Sequence, residues 1–159
     1  MSAMSLFLRN LFFTIIHPGV VAGLIPYLIL RKENFDLIYK PFSLFQYVGC
    51  IFTLSGLTIL IYCIASLAVR GKGTLSPIDP TKKLVITGLY RFSRNPMYVG
   101  VILILTGESL FFMSIELLAY DAAVLILFNA FIMLHEEPRL KKDFGDDYLH
   151  YCKKVRRWI

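Results

Sequence analysis

The chain has 159 residues, enough for one domain, and 57% of them are hydrophobic, against roughly 45–50% in an ordinary soluble chain. The apolar excess falls in blocks. The basic residues behind the net charge of +6 flank those blocks, which favours anionic lipid headgroups over nucleic acid as their partner. The three cysteines form no disulfide framework, and without a CxxC or HExxH motif no structural metal is expected.

The first apolar run, 11–30, is preceded only by Arg9 and is about 30 Å long as a helix, the thickness of the hydrocarbon core. It is too long for a signal-peptide core and has no small-residue cleavage site, so it is expected to stay in the mature protein. His17, Pro18, Gly19 and Pro26 interrupt it and predict a kink or a close helix neighbour. His17 reads as a hydrogen-bonded bundle histidine. The second span, 44–69, exceeds the needed length and should tilt. In it, Gly49 and Gly56 lie seven residues apart with Thr53 nearby, a small-residue packing stripe.

A long connection follows, from Arg70 to Asn95. Its Gly71-Lys72-Gly73 lacks the third glycine and the βαβ setting of a phosphate loop. The third span, 97–114, opens on Asn95-Pro96, with asparagine suited to the N-cap and proline to the first turn. Free N–H groups and the positive dipole end of that helix would then face a polar site at the membrane surface. Glu108 lies within this span. It is either functional at depth or paired with a hydroxyl or His17.

Ile115-Glu116 reads as a very short connection, so the third span and the fourth, 117–134, should form an antiparallel hairpin. Asp121 near the start of the fourth carries no assigned chemistry. His135, Glu136 and Glu137 follow, ahead of Pro138. Leu140, Phe144, Tyr148, Tyr151, Val155 and Trp158 then recur at helical spacing among lysines, arginines and aspartates. This predicts an amphipathic helix lying in the membrane interface, with Gly145 able to weaken or kink it.

Four spans put both termini and the long connection on one side. Fourteen of the seventeen lysines and arginines fall there, which makes that side cytoplasmic. The mouth of the third helix and the end of the fourth should therefore meet. Two arginines, a helix N-terminus, two glutamates and several tyrosines would converge, a site suited to a soluble zwitterion meeting a membrane-borne ligand.

The same residues carry a resemblance. Gly88-x-Tyr90-x-x-x-Arg94-Asn95-Pro96-Met97-Tyr98-x-Gly100 is followed about forty residues on by Glu136-Glu137-x-x-Leu140-x-x-x-Phe144-Gly145-x-x-Tyr148-x-x-Tyr151. Together they resemble the isoprenylcysteine carboxyl methyltransferase family, which is itself similar to the phospholipid N-methyltransferases. The stretch from Thr74 to Pro80 resembles the bacterial branch. The resemblance implies an all-α integral membrane enzyme with four transmembrane helices and a C-terminal amphipathic interfacial helix. It implies S-adenosylmethionine as cofactor, in a cytoplasmic site built from 82–98 and 135–151. The residues matching the cofactor motif are Lys82, Lys83, Leu84, Val85, Tyr90, Asn95, Pro96, Met97, Tyr98 and Glu136. Arg94, a catalytic candidate beside the helix mouth, can receive the cofactor's carboxylate, while His135, Glu137 and Glu108 stand as catalytic candidates for holding or deprotonating the acceptor. Ile132 occupies the position where eukaryotic members carry a substrate-linked arginine, so a prenylcysteine carboxylate is not the only acceptor to consider. Ile132 should face lipid or bundle core. The acceptor is expected to be lipophilic and to arrive laterally from the bilayer, with membrane lipids, but no nucleic acid and no metal, as further partners. Two rival readings are an NADPH-dependent reductase of the sterol reductase type and a small non-enzymatic transporter or assembly factor using Glu108.

Overall fold

The computed structural model describes residues 18–31, 42–70 and 84–158, and His17, Lys82 and Lys83 lie outside them. Regular structure among the described residues is entirely helical. Helix α1, Val20–Leu30, begins as a π-turn over Val20–Leu24. Helix α2 is Leu44–Arg70, α3 is Pro96–Phe112, α4 is Ile115–Phe131 and α5 is Glu137–Lys154. A second π-turn, Ile132–Glu136, joins α4 to α5 without a break.

Both π-turns stand directly before a proline, Pro26 in one case and Pro138 in the other. A proline removes one helical hydrogen bond and its ring collides with the carbonyl four residues back. Widening the preceding turn relieves that collision and lets the helix continue. Thus the helix that carries the fourth apolar run does not end with that run at Leu134. It passes straight into α5.

The hairpin between α3 and α4 forms, with its turn shifted toward the N-terminus. Met113 takes the left-handed conformation at φ 52°, and Ser114 caps α4 by accepting the Leu117 N–H at 3.3 Å. Ile115-Glu116 is therefore the first turn of α4 rather than the connection. Glu116 there complements the positive end of the helix.

The tightest packing is between α2 and α3, which run antiparallel. A Cβ added to Gly49 would stand 2.6 Å from the Gly107 carbonyl oxygen, and one added to Gly56 2.6 Å from that of Gly100. The glycine stripe of α2 thus meets a second stripe on α3 with the same seven-residue spacing, and the two backbones touch. Leu60, Val101, Ile104, Leu105 and Val124 close the core beside this seam.

Two helical stretches, Leu44–Leu67 and Ile115–Lys154, are long and apolar enough to cross a bilayer, while Val20–Leu30 and Pro96–Phe112 are apolar but shorter. Only 22% of the most apolar window of each long stretch is buried among the described residues, whereas a core helix of a soluble protein is mostly buried. Leu54, Ile61, Ile126 and Leu127 point outward, as lipid-facing side chains do.

Candidate functional site

The functional cleft follows from a difference in helix length. The glycine seam sets Leu60 of α2 level with the start of α3. Beyond that level α2 continues for roughly ten residues, about 15 Å at the rise of an α-helix. The space above the short α3 is filled by the chain from Leu84 to Asn95 on one side and by α5 on the other. Between them remains a cleft that opens to solvent. Leu67, Leu84, Val85, Tyr90, Arg94, Asn95, Pro96, Met97, Tyr98, Glu136, Arg139, Leu140, Tyr148 and Tyr151 line it.

Its floor is the N-terminus of α3. Asn95 stands at the N-cap position, but its side chain does not cap the helix. Its Nδ2 instead donates to the Arg157 carbonyl at 3.0 Å. Pro96 has no N–H, so the first turn of α3 opens into the cleft without a side-chain acceptor. This is the arrangement in which a helix end binds an anion.

The C-terminal segment that takes Asn95 forms a strap, 155–158, across the approach to α3. The Arg94 N–H donates to the Arg156 carbonyl at 2.9 Å, and Ser93 Oγ to the Arg157 carbonyl at 3.3 Å. Arg157 Nε and Nη2 donate to the two oxygens of Glu137 at 2.9 and 3.0 Å, a bidentate pair. Arg94 Nη1 reaches the same carboxylate at 3.2 Å and Cys152 Sγ at 2.7 Å. Tyr151 Oη, donating to the Tyr90 carbonyl at 2.6 Å, ties α5 to the turn at Gly88–Arg91.

The two adjacent glutamates differ in environment. Burial raises the Glu137 carboxyl, but the Arg157 hydrogen bonds and the charge of Arg94 outweigh it and hold the group below its ordinary range. Burial dominates at Glu136 and pushes it up, with the Tyr98 hydroxyl donating at 2.8 Å and Arg139 giving only partial relief. Glu136 therefore stands at the cleft as a carboxylate short of a cation. At the same cleft, Arg94 Nε and Arg139 Nε are buried without acceptors. Tyr90, whose hydroxyl is pushed up by burial, remains neutral and serves as an aromatic wall. One end of the cleft seeks an anion, another seeks a cation, and the walls between are aromatic and aliphatic. A zwitterion carrying an aromatic or apolar body fits this set.

All eight described residues of the proposed cofactor motif line the cleft, and so does Arg94. The other three candidates lie apart. His135 is exposed and stacks on Phe131 at 5.5 Å. Glu137 faces the strap. Glu108 is twelve residues into α3, about 18 Å from its mouth. Its Oε2 is buried without a partner there. Ile132 is fully buried in the bundle. Arg139 was not singled out by the sequence reading, although it lies one turn beyond Glu136 on the same helix face. Leu67 carries no local signal, since only the length difference between α2 and α3 brings it to the cleft. The apolar face of α5 also departs from the expectation of lipid contact: Tyr148 and Tyr151 are buried against the protein.

A model of the phospholipid methyltransferase family matches residues 44–147, which takes in α2, α3, α4, the first part of α5 and every cleft residue except Tyr148 and Tyr151. The chain is also similar to a Haemophilus influenzae protein without a functional description. The two are 38% identical over 64 residues, 40% of this chain and all of that one. No solved structure matches.

Proposed function

The chain belongs to the phospholipid methyltransferase family, and on that premise we propose that it transfers a methyl group from S-adenosylmethionine to a lipophilic acceptor in the bilayer. We place the cleft and both termini on the cytoplasmic side of four membrane spans. The observation that carries this reading is the charge pattern of the cleft, an uncapped helix mouth beside Arg94 facing a Glu136 that the neighbouring Arg139 neutralises only in part.

The cofactor carboxylate belongs at the mouth of α3, within reach of Arg94 or Arg139, and its ammonium group at Glu136. Tyr90, Tyr98, Val85 and Met97 would flank the adenosine and the positively charged sulfur. Bound there, S-adenosylmethionine supplies an electrophilic methyl group whose transfer relieves the sulfonium charge. The contribution of the chain is alignment and exclusion of water. Neither candidate base lines the cleft. Glu137 is a weak base while two guanidinium groups hold it, and His135 faces outward. This favours an acceptor that is nucleophilic without a protein base, as a carboxylate is. An apolar groove lined by Thr58, Ile59, Tyr62, Leu89 and Phe92 lies on the outer side of the Gly88–Arg91 turn and offers the acceptor's lipid part a lateral path.

Calorimetry on the purified protein tests the cofactor, with S-adenosylmethionine and NADPH titrated in parallel. Binding of the first alone, weakened in Glu136→Gln, supports the assignment. Binding of NADPH instead overturns it.

A further inference from the structure

The strap at 155–158 has two sides of different character. Inward, its carbonyls hold the Arg94 N–H and the Asn95 and Ser93 side chains, and Arg157 grips Glu137. Those contacts fix the mouth of α3 from one direction. From the other they fix the residue adjoining Glu136. Outward, Lys153, Lys154 and Arg156 are exposed and make no ion pair among the described residues. The carboxylates of α5 that could neutralise them, Asp143, Asp146 and Asp147, cluster around Gly145, about two turns away. Lys153 and Lys154 in the last turn of α5 complement its dipole, but Arg156 lies past the helix end, where the dipole does not account for it. Beside them Trp158, half-buried, directs its indole N–H to Asn129 Oδ1 at 3.4 Å, an aromatic anchor at the end of a membrane helix.

We propose that Lys153, Lys154 and Arg156 bind anionic phospholipid headgroups and that this contact holds the strap closed, so that the charge of the membrane surface sets the affinity of the cofactor cleft. The proposal rests on the cofactor reading given above. Its occupant is a lipid surface because the three cations flank the strap at the cytoplasmic end of a bilayer-crossing helix, where anionic headgroups are concentrated. Lipid that prefers the closed strap must raise cofactor affinity by the same factor as bound cofactor raises lipid affinity.

The test measures S-adenosylmethionine affinity in nanodiscs of phosphatidylcholine alone and of phosphatidylcholine mixed with phosphatidylglycerol, at low and high salt. It compares the native chain with the triple variant Lys153→Gln, Lys154→Gln, Arg156→Gln. Tighter binding in the anionic discs by about tenfold is expected for the native chain, since most of the attraction of three cations is common to open and closed straps. High salt should reduce the difference and the variant should abolish it, with affinity in neutral discs and helix content unchanged. Inorganic phosphate added to neutral discs should not substitute for the lipid. Equal, measurable affinities in both discs, or a variant that keeps the native difference, would overturn the coupling while leaving the cofactor assignment intact. Absence of binding in every disc would overturn the cofactor assignment, and the coupling with it.

Discussion

Glu136 and Glu137 are neighbours in sequence with opposite surroundings, and each titrates accordingly. Glu136 must be ionised to hold an ammonium group, and its carboxyl is raised by burial. Cofactor affinity should therefore begin to fall, on acidification, at a pH above the ordinary carboxylate range. Glu136→Gln should weaken binding about 10- to 100-fold, the cost of a lost charged hydrogen bond, and should flatten that pH profile. Calorimetry across the acid range reads both. Glu137 behaves in the reverse sense. Its carboxyl is held below the ordinary range, so the stability it lends the strap is full at neutral pH and is lost only as pH falls through that depressed value. The sequence displays both glutamates side by side but does not tell them apart. Their difference comes from Arg157, twenty residues on, which folds back onto one and not the other. The nearness of the α3 mouth to Glu136 is legible from the hairpin, but the hydrogen bond from the Tyr98 hydroxyl to the Glu136 carboxylate is not.

At the scale of elements, two glycine features do different work. In the seam between α2 and α3 the need is space. A Cβ on Gly56 would meet the backbone of Gly100 and Ile104, which cannot give way without separating the helices. Gly56→Ala should cost about 1–3 kcal/mol, the usual price of overpacking, read as a lower melting temperature in detergent. At Gly145 the need is conformational. Its φ of 52° and ψ of −126° suit glycine alone, while nothing lies within 4 Å of where a Cβ would stand. Gly145→Ala should strain the chain by about 1–3 kcal/mol. If α5 straightens in response, Tyr148 and Tyr151 leave the cleft and cofactor affinity drops, with the membrane helices intact by circular dichroism. Half of the seam is plain in the sequence, where Gly49 and Gly56 stand seven apart. The shift of the hairpin turn and the continuity of α4 with α5 are less legible. Ser114 and Pro138 each allow two boundaries, and the choice lies with the left-handed Met113 and the π-turn ahead of the proline.

At the scale of the whole molecule, the ends of the helices sort into two groups. Phe42 before α2 packs edge-on against Phe111 at 5.7 Å, and Ser43 Oγ approaches Met113 Sδ at 3.9 Å, so the start of α2 and the α3–α4 turn share one end of the bundle. The cleft, the strap and the C-terminal basic cluster share the other. The helices between these ends turn apolar side chains outward, as the proposed crossing of a bilayer requires. Lysines and arginines of the described C-terminal segment lie at the strap end, and the proposed reading, by the positive-inside rule, puts that end in the cytoplasm. In a cysteine-free background, Lys154→Cys should react with a membrane-impermeant maleimide only in inverted vesicles, and Met113→Cys only in intact cells. Both positions are exposed, so failure to react would not come from burial. Labelling of both from one side would mean that α4 does not cross the bilayer. The four-span arrangement would then fall, and the cleft would have to take its acceptor from a surface rather than from between helices.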